Sequence, residues 1–525
     1  MAPQTDSLLN PLDLLTIDAI GLKIELKKQN EKIEYYREEN ERLHEIIRDF
    51  KRNRFGVKSE RWESEEQMVF NEAETLCLNP KPDEDDGDDE TNKKTGTEVK
   101  AHTRVRGKRK VLPIELPREI VVIELPVDEQ VDAEGNKLKP IGKEISEKLY
   151  FEPSKLIVHE YHRIRYGYES GDAAVTAPVP PSILPKSYAT SGLIAHIVMQ
   201  KYGYGLPLYR LEDMFKRMGM SIPRCTQARW VIEAAEACRP LWNILEERLM
   251  ASHYVSCDET WTQVLKEKNK TAESKSWMWV RTTPSDTKKI VLFDYDPHRS
   301  AEVAKKLFAD YKGTLQTDGL ASYNCVGEQA DVFHIGCNMH GRRGFEAANK
   351  IGAKAGKNLS DVALKFYHEL YEIEKEIKLL NPDERKRIRD LKAKPIWDKF
   401  KTWADIERKK VPPKSKIGEA FRYFLNQYDR LIGYLTAGHL EMDNGFAERA
   451  IKNFAIGRKN WTFSDTEAGS DASALFYSII VTAKLNGNDP SRILKLIFDQ
   501  VPLAKTIDDF DRIVDLILTP LAAAS

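Results

Sequence analysis

The sequence predicts a multidomain α/β protein: an N-terminal coiled coil, a small β-rich module, a helix-turn-helix-like region, and a strand-rich core interrupted by a helical insertion. Three patterns support this. A heptad stripe runs through residues 15–50, helical periodicity gives way to strands at residue 253, and a long helical stretch follows residue 340. At 525 residues the chain exceeds one hydrophobic core, so several domains are expected.

Composition excludes more than it selects. The formal net charge is -1, so bulk charge points to no partner. Charge is instead segregated, with seven acids in residues 83–90 (DEDDGDDE) and a basic run at 102–110 (HTRVRGKRK), as in solvated linkers. The six cysteines (Cys77, Cys225, Cys238, Cys257, Cys325, Cys337) form no CxxC pair, which suits a reducing compartment. No signal peptide or apolar run of about 18 residues is evident, so no membrane partner is expected and a cytoplasmic, nucleoid-associated location is.

In the coiled coil (1–55), Leu15, Leu22, Gln29, Tyr36, Leu43 and Phe50 occupy d positions. Ala19, Leu26, Ile33, Asn40 and Ile47 occupy a. Such a stripe is buried either on the protein itself or against a second copy. The polar linker at 56–110 offers nothing to pack against, so a homo-oligomer through residues 15–50 is expected. Residues 111–177 read as the β-rich module, with strands at Val121–Ile123, Lys148–Phe151 and Leu156–Val158 and a turn at 132–136. The Pro-rich 178–185 (PVPPSILP) marks a boundary.

Residues 186–250 read as helices over Gly192–Tyr202, over Leu208–Met218 ending at Gly219, and from Pro223 onward. A helix, a glycine turn and a helix carrying Thr226, Gln227, Arg229 and Trp230 suit a helix-turn-helix, with Arg229 a DNA-binding candidate. Helical hairpins also occur without that role.

Strands follow at His253–Cys257, ending on Asp258, then at Trp277–Thr282 and Ile290–Tyr295. After a helix at 300–311 come Thr314–Thr317, ending on Asp318, and Asp331–Ile335. This is the element order of a ribonuclease-H-like fold, in which the first and fourth strands are neighbours and acids at their ends converge. The core spans 251–340 and 436–500, the insertion 341–435, and a C-terminal tail 501–525. The third acid is Glu448, beside the apolar stripe of Ala447, Ala450, Ile451 and Phe454. Phosphodiester transfer uses one cation to activate the attacking oxygen and another at the leaving oxygen, about 4 Å apart. Mg²⁺ takes oxygen ligands and keeps some waters, so Asp258, Asp318 and Glu448 suffice as its metal ligands, with Mn²⁺ as a substitute. An Asp closing a strand is ordinary, and only the combination is informative.

These segments resemble the insertion-sequence-sixty-six family of bacterial DD-E transposases. The resemblance rests on Arg54–Glu60 (RFGVKSE), Lys201-Tyr202, Leu206–Arg210, Ala228–Trp230, Asp258-Glu259-Thr260 and Thr317-Asp318-Gly319. Most specific are 443–461 (DNGFAERAIKNFAIGRKNW) and 482–490 (TAKLNGNDP). It implies binding of double-stranded DNA, cleavage at element ends, joining of the 3′-OH to target DNA, and small accessory proteins from the same element. Relatives carry a four-cysteine zinc module before the helix-turn-helix. Residues 101–190 contain no cysteine, so zinc is expected neither in that module nor elsewhere in the protein. Cys337-Asn338-Met339-His340 resembles a Cys-x-x-His feature that either braces the site or is ordinary packing, and it is not read as a set of metal ligands.

Three further points follow. Arg458 and Lys459 are candidates to neutralise phosphate, and Trp461 to stack on an unpaired base; the alternative is a surface turn with a buried Trp. The basic stretch 385–394 (RKRIRDLKAK) is either a DNA contact or a solvated face. The competing readings are a tyrosine recombinase using His340-x-x-Arg343, a plain nuclease, and a catalytically inactive or regulatory dimeric DNA-binding protein.

Overall fold

A computed structural model describes residues 26–37, 156–161, 165–166, 175–176, 180–349 and 359–521. The chain divides into two units, Lys58–His159 and the remainder, and almost all of the first lies outside the described residues. So do the expected linker, the strands at Val121–Ile123 and Lys148–Phe151, and most of the coiled coil, of which residues 26–37 are helical. The expected strand at Leu156–Val158 does not form; that segment is irregular, and Val158 is 90% exposed. A short ladder instead pairs β1 (Arg165–Tyr166) with β2 (Val175–Thr176).

Between Thr190 and the sheet lie four α-helices: α1 (Ser191–Val198), α2 (Leu208–Arg217), α3 (Arg224–Ala237) and α4 (Arg239–Met250). Thr190 caps α1 by accepting the Leu193 N–H, and a π-helical turn extends it through Met199–Gly203. Gly219 takes φ +93°, the left-handed conformation that lets the chain leave α2 and turn into α3. Not every polar side chain of α3 is presented outward. Gln227 is buried and donates to the Ile222 carbonyl at 2.8 Å, and Trp230 is buried edge-on to Tyr188. Arg229 is exposed, 3.8 Å from Glu233.

The central sheet contains β3 (Tyr254–Lys266), β4 (Lys275–Thr282), β5 (Val291–Asp296), β6 (Gly313–Thr317), β7 (Val332–Gly336) and β8 (Ser464–Thr466). Its order is β5-β4-β3-β6-β7, with β8 pairing the far end of β3. β3, β4 and β5 are antiparallel neighbours, whereas β6 runs parallel to β3, and β7 to β6. The first and fourth strands of the sheet are therefore adjacent, as expected. α5 (Ala301–Leu307) and α6 (Asn324–Gly327) flank β6 in the chain. β4 and β5 are buried along most of their length, as in a sheet covered on two sides.

The insertion region consists of α7 (Asn338–Asn349), α8 (Leu359–Glu376), α9 (Pro382–Ile388), α10 (Lys394–Glu407) and α11 (Lys416–Leu431). Its aromatic core, with Trp397, Phe400 and Phe424, is continuous with Tyr254 of β3 and Ile335 of β7. The basic stretch 385–394 is largely matched by acids. Arg389 is buried and donates to Glu374 at 2.9 and 2.6 Å, and Lys392 meets Glu376 at 2.7 Å.

The chain returns through α12 (Gly445–Trp461) and α13 (Glu467–Leu485). β5 is the edge strand, and hydroxyls of α13 satisfy its outer backbone. Ser478 Oγ accepts the Phe293 N–H at 2.8 Å, while Thr482 Oγ1 accepts the Val291 N–H at 3.0 Å and donates to its carbonyl at 3.1 Å. α14 (Pro490–Gln500) packs on α1. The segment read as a tail forms α15 (Ile507–Leu518), closed by a Thr506–Asp509 capping box. Its Asp511 and Asp515 pair with Arg248 of α4 at 2.6 and 2.8 Å. No helix among the described residues is long and apolar enough to cross a membrane.

Candidate active site

Asp258 lies within β3, not at its end as the sequence suggested. The parallel pairing with β6 stops at Ser256↔Gln316, but the antiparallel pairing with β4 continues through Asp258↔Val280 to Gln263↔Lys275. Asp258 thus stands where β6 peels away from β3, leaving a gap beside a strand held in place from its other side. Asp318 immediately follows β6 and its Oδ1 accepts the Leu320 N–H at 2.9 Å.

Glu448 is in the first turn of α12, and the start of that helix is fixed by a residue sequence reasoning missed. Asn444, 1% exposed, donates from Nδ2 to the Cys257 carbonyl at 2.8 Å and from its backbone N–H to Cys337 Sγ at 3.2 Å. It binds α12 both to the strand residue before Asp258 and to the β7–α7 junction. Asn338 does the equivalent for α7, with Nδ2 donating to the Leu431 and Met442 carbonyls at 2.9 Å each.

The electrostatics place the acids in one neighbourhood. Burial, then Glu259, Glu448 and Asp318, raise the Asp258 carboxyl well above its ordinary range. Burial and Asp318 raise Glu259 too, although Tyr323 and Arg299 both donate to its carboxylate. Asp443 is raised by burial and by Glu448. Glu259 is the second acid the sequence reading passed over; its signal was the Asp-Glu pair on one strand. Buried carboxylates that disfavour one another's charge are a donor set for hard divalent cations, and a cation would relieve the conflict. In chemical type, carboxylate oxygens, these residues suit the expected metal.

Other ligands approach Glu448. Arg343 donates to Oε1 at 3.3 Å and to Oε2 at 2.7 Å. His340 Nδ1 lies 3.8 Å from Oε1. Among the described residues, the one group of three potential ligands whose atoms all lie within 4.8 Å of one another is Cys337, His340 and Glu448.

The segment after Glu448 differs from its reading. Arg458 is buried, not on the expected phosphate path; it donates to Thr260 Oγ1 at 3.2 Å and to the Trp261 carbonyl, and lies 4.1 Å from the centre of the Trp261 ring. Trp461 is half-buried, edge-on to Tyr202, with Lys201 Nζ 4.0 Å over its ring, so one stacking face is already covered. Lys459 is exposed. Asn460 Nδ2 donates to the Gly205 carbonyl at 2.7 Å, docking the end of α12 on the loop between α1 and α2.

Comparison with known proteins places this arrangement. Residues 186–472, which include the three acids, match the family described as Transposase IS66 family. Residues 42–121 match one described as Transposase C of IS166 homeodomain. Among curated proteins, Uncharacterized protein y4hP of Sinorhizobium fredii (strain NBRC 101917 / NGR234) is 30% identical over 408 residues, 75% of this chain and 74% of that protein. Uncharacterized protein y4qI of the same strain is 29% identical over 467 residues, 85% and 83% of the two chains.

Proposed function

Since the chain belongs to the IS66 family of transposases, we propose that it is a DD-E transposase that cleaves element ends and joins the freed 3′-OH to target DNA. One observation supports the reading above all: Asp258, Asp318 and Glu448, from three separated segments, are each only partly exposed and share one electrostatic neighbourhood. The strand order β5-β4-β3-β6-β7 agrees with the ribonuclease-H-like fold expected for such a core.

Asp258, Asp318 and Glu448 would hold Mg²⁺, or Mn²⁺ in its place. When bound, the ions supply charge stabilisation at the attacking and leaving oxygens of the phosphodiester. The chain's own part is positional. β3 and β6 fix two carboxylates through their shared register, and Asn444 sets α12 so that the third approaches from outside the sheet. Double-stranded DNA would reach this site over Arg229 on α3 and Lys459 on α12, both exposed. Residues 15–50 would assemble copies of the chain, and accessory proteins of the same element would act beside it.

The test is purified protein with the DNA flanking its own gene, in Mg²⁺ or Mn²⁺, scored for end cleavage and joining. Metal-dependent cleavage with joined products is expected. Cleavage without joining makes the protein a nuclease. Specific binding without cleavage makes it a regulator, and a covalent protein–DNA adduct makes it a tyrosine recombinase.

A further inference from the structure

We propose that Cys337, His340 and Glu448 form a second cation site, for a thiophilic divalent ion of the zinc type. The Cys-x-x-His spacing straddles the start of α7, with Cys337 just before Asn338 and His340 in the first turn. Residues three apart there lie on one side of the helix. Glu448 enters from the first turn of α12, and Asn444 holds the two helix starts together through Cys337 Sγ.

The donor set argues for the ion class. Sulfur and imidazole with one carboxylate suit zinc, whereas magnesium takes oxygen alone. Zinc bonds of about 2.0–2.3 Å put tetrahedral ligand atoms roughly 3.3–3.8 Å apart. His340 Nδ1 and Glu448 Oε1 already stand 3.8 Å apart, and the whole trio lies within 4.8 Å.

Two of the three ligands are also held by outer partners, as metal ligands are. Arg343 donates to Glu448 Oε2 at 2.7 Å and, more distantly, to Oε1 at 3.3 Å, the oxygen that also faces His340. The backbone N–H groups of Asn444 and His340 face the Cys337 sulfur. His340 Nδ1 is buried and has no hydrogen-bond partner, an orphan that a coordinated ion would satisfy. On binding, the Cys337 thiol proton passes to solvent and three chain ligands leave a fourth position for water.

Glu448 is shared with the catalytic assignment. Zinc in this site holds Oε1 against α7, so zinc opposes magnesium-dependent cleavage; this consequence, unlike the binding itself, rests on the proposed function.

The experiment titrates full-length, metal-stripped protein with Co²⁺ as a spectroscopic stand-in for zinc. A thiolate-to-cobalt charge-transfer band saturating at one equivalent per chain is expected, bleached by Zn²⁺ and unmoved by Mg²⁺. Cys337→Ser should abolish the band and His340→Ala should weaken or abolish binding, with circular dichroism confirming the fold of each. Arg343→Gln leaves the three ligands intact and should weaken affinity about 10–100-fold, so the site remains testable if Cys337→Ser does not fold. Asp258→Asn should bind cobalt as the unaltered protein does, separating this result from any failure of the catalytic reading. The absence of a thiolate band, its persistence in Cys337→Ser, or unchanged affinity in both His340→Ala and Arg343→Gln overturns the proposal.

Discussion

Arg343 of α7 grips the Glu448 carboxylate of α12 with two hydrogen bonds, at 3.3 and 2.7 Å, across 105 positions of sequence. The guanidinium fixes the orientation of this carboxylate. The contact joins the helical insertion to the second part of the core, and it bears on how each acid behaves when altered.

Asp258→Asn, Asp318→Asn and Glu448→Gln should each reduce cleavage below detection while leaving DNA affinity near normal. The amides keep the shape of the side chains and lose the charge that holds a cation. Near-full activity in any one variant, measured in Mg²⁺ and in Mn²⁺, would remove that residue from the site.

Asp258 also predicts a pH dependence of stability. Its carboxyl is raised by burial and by three neighbouring acids, so the folded chain holds this proton more tightly than the unfolded chain. The folded state then binds more protons, and stability falls as pH rises from the ordinary carboxyl range toward the raised value. Asp258→Asn removes that cost, so in chelator its melting temperature should exceed that of the unaltered protein at neutral pH and converge with it in acid. Equal melting at neutral pH would contradict the strained-carboxylate account.

Arg458 and Lys459 should separate cleanly. Arg458→Ala removes charged hydrogen bonds to Thr260 and Trp261 in a buried setting, with an expected loss of about 1.5–3 kcal/mol of stability. Lys459→Ala should make the dependence of log affinity on log salt shallower by roughly 0.9. Thermal melts and DNA titrations at three salt concentrations check both. A salt-slope change from Arg458→Ala in a fully stable protein would reverse the assignment.

Arg281, 0% exposed, donates to Asp294 at 3.0 and 2.8 Å and to Glu246 at 2.6 Å, joining β4, β5 and α4. Arg281→Ala strands Asp294 without a cation and should cost about 3–5 kcal/mol. Arg281→Met with Asp294→Leu should recover much of that loss, because the desolvation of both charges disappears together. Denaturant midpoints of the single and double variants decide.

Deleting residues 15–50 should weaken self-association if, as the heptad pattern leads us to expect, the apolar stripe packs on a second copy. Sedimentation showing an unchanged oligomer would reject it.

The sequence by itself determined what depends on near neighbours. The chain positions of α1, α2 and α3, the turn at Gly219, the order of the strands around α5, and the placement of Asp318 at the close of β6 all follow from apolar period and turn chemistry. The family resemblance through 443–461 supplied Glu448 by the same short-range reading. Tertiary structure decided the rest. Asp258 sits mid-strand because β4 keeps pairing after β6 has left, and Arg458 is interior because Trp261, 197 positions away, receives it. Gln227 turns inward to the Ile222 carbonyl, while Leu156–Val158 has strand-like composition but forms no strand. Asn444, which aligns Glu448 with the sheet, gave no distinctive local signal, and Glu259, which adds a further charge beside Asp258, showed only as the other half of an Asp-Glu pair. Periodicity records which face of an element is apolar. Whether a polar side chain is buried, and against which charge, depends on partners brought together only when the sheet and helices close around it.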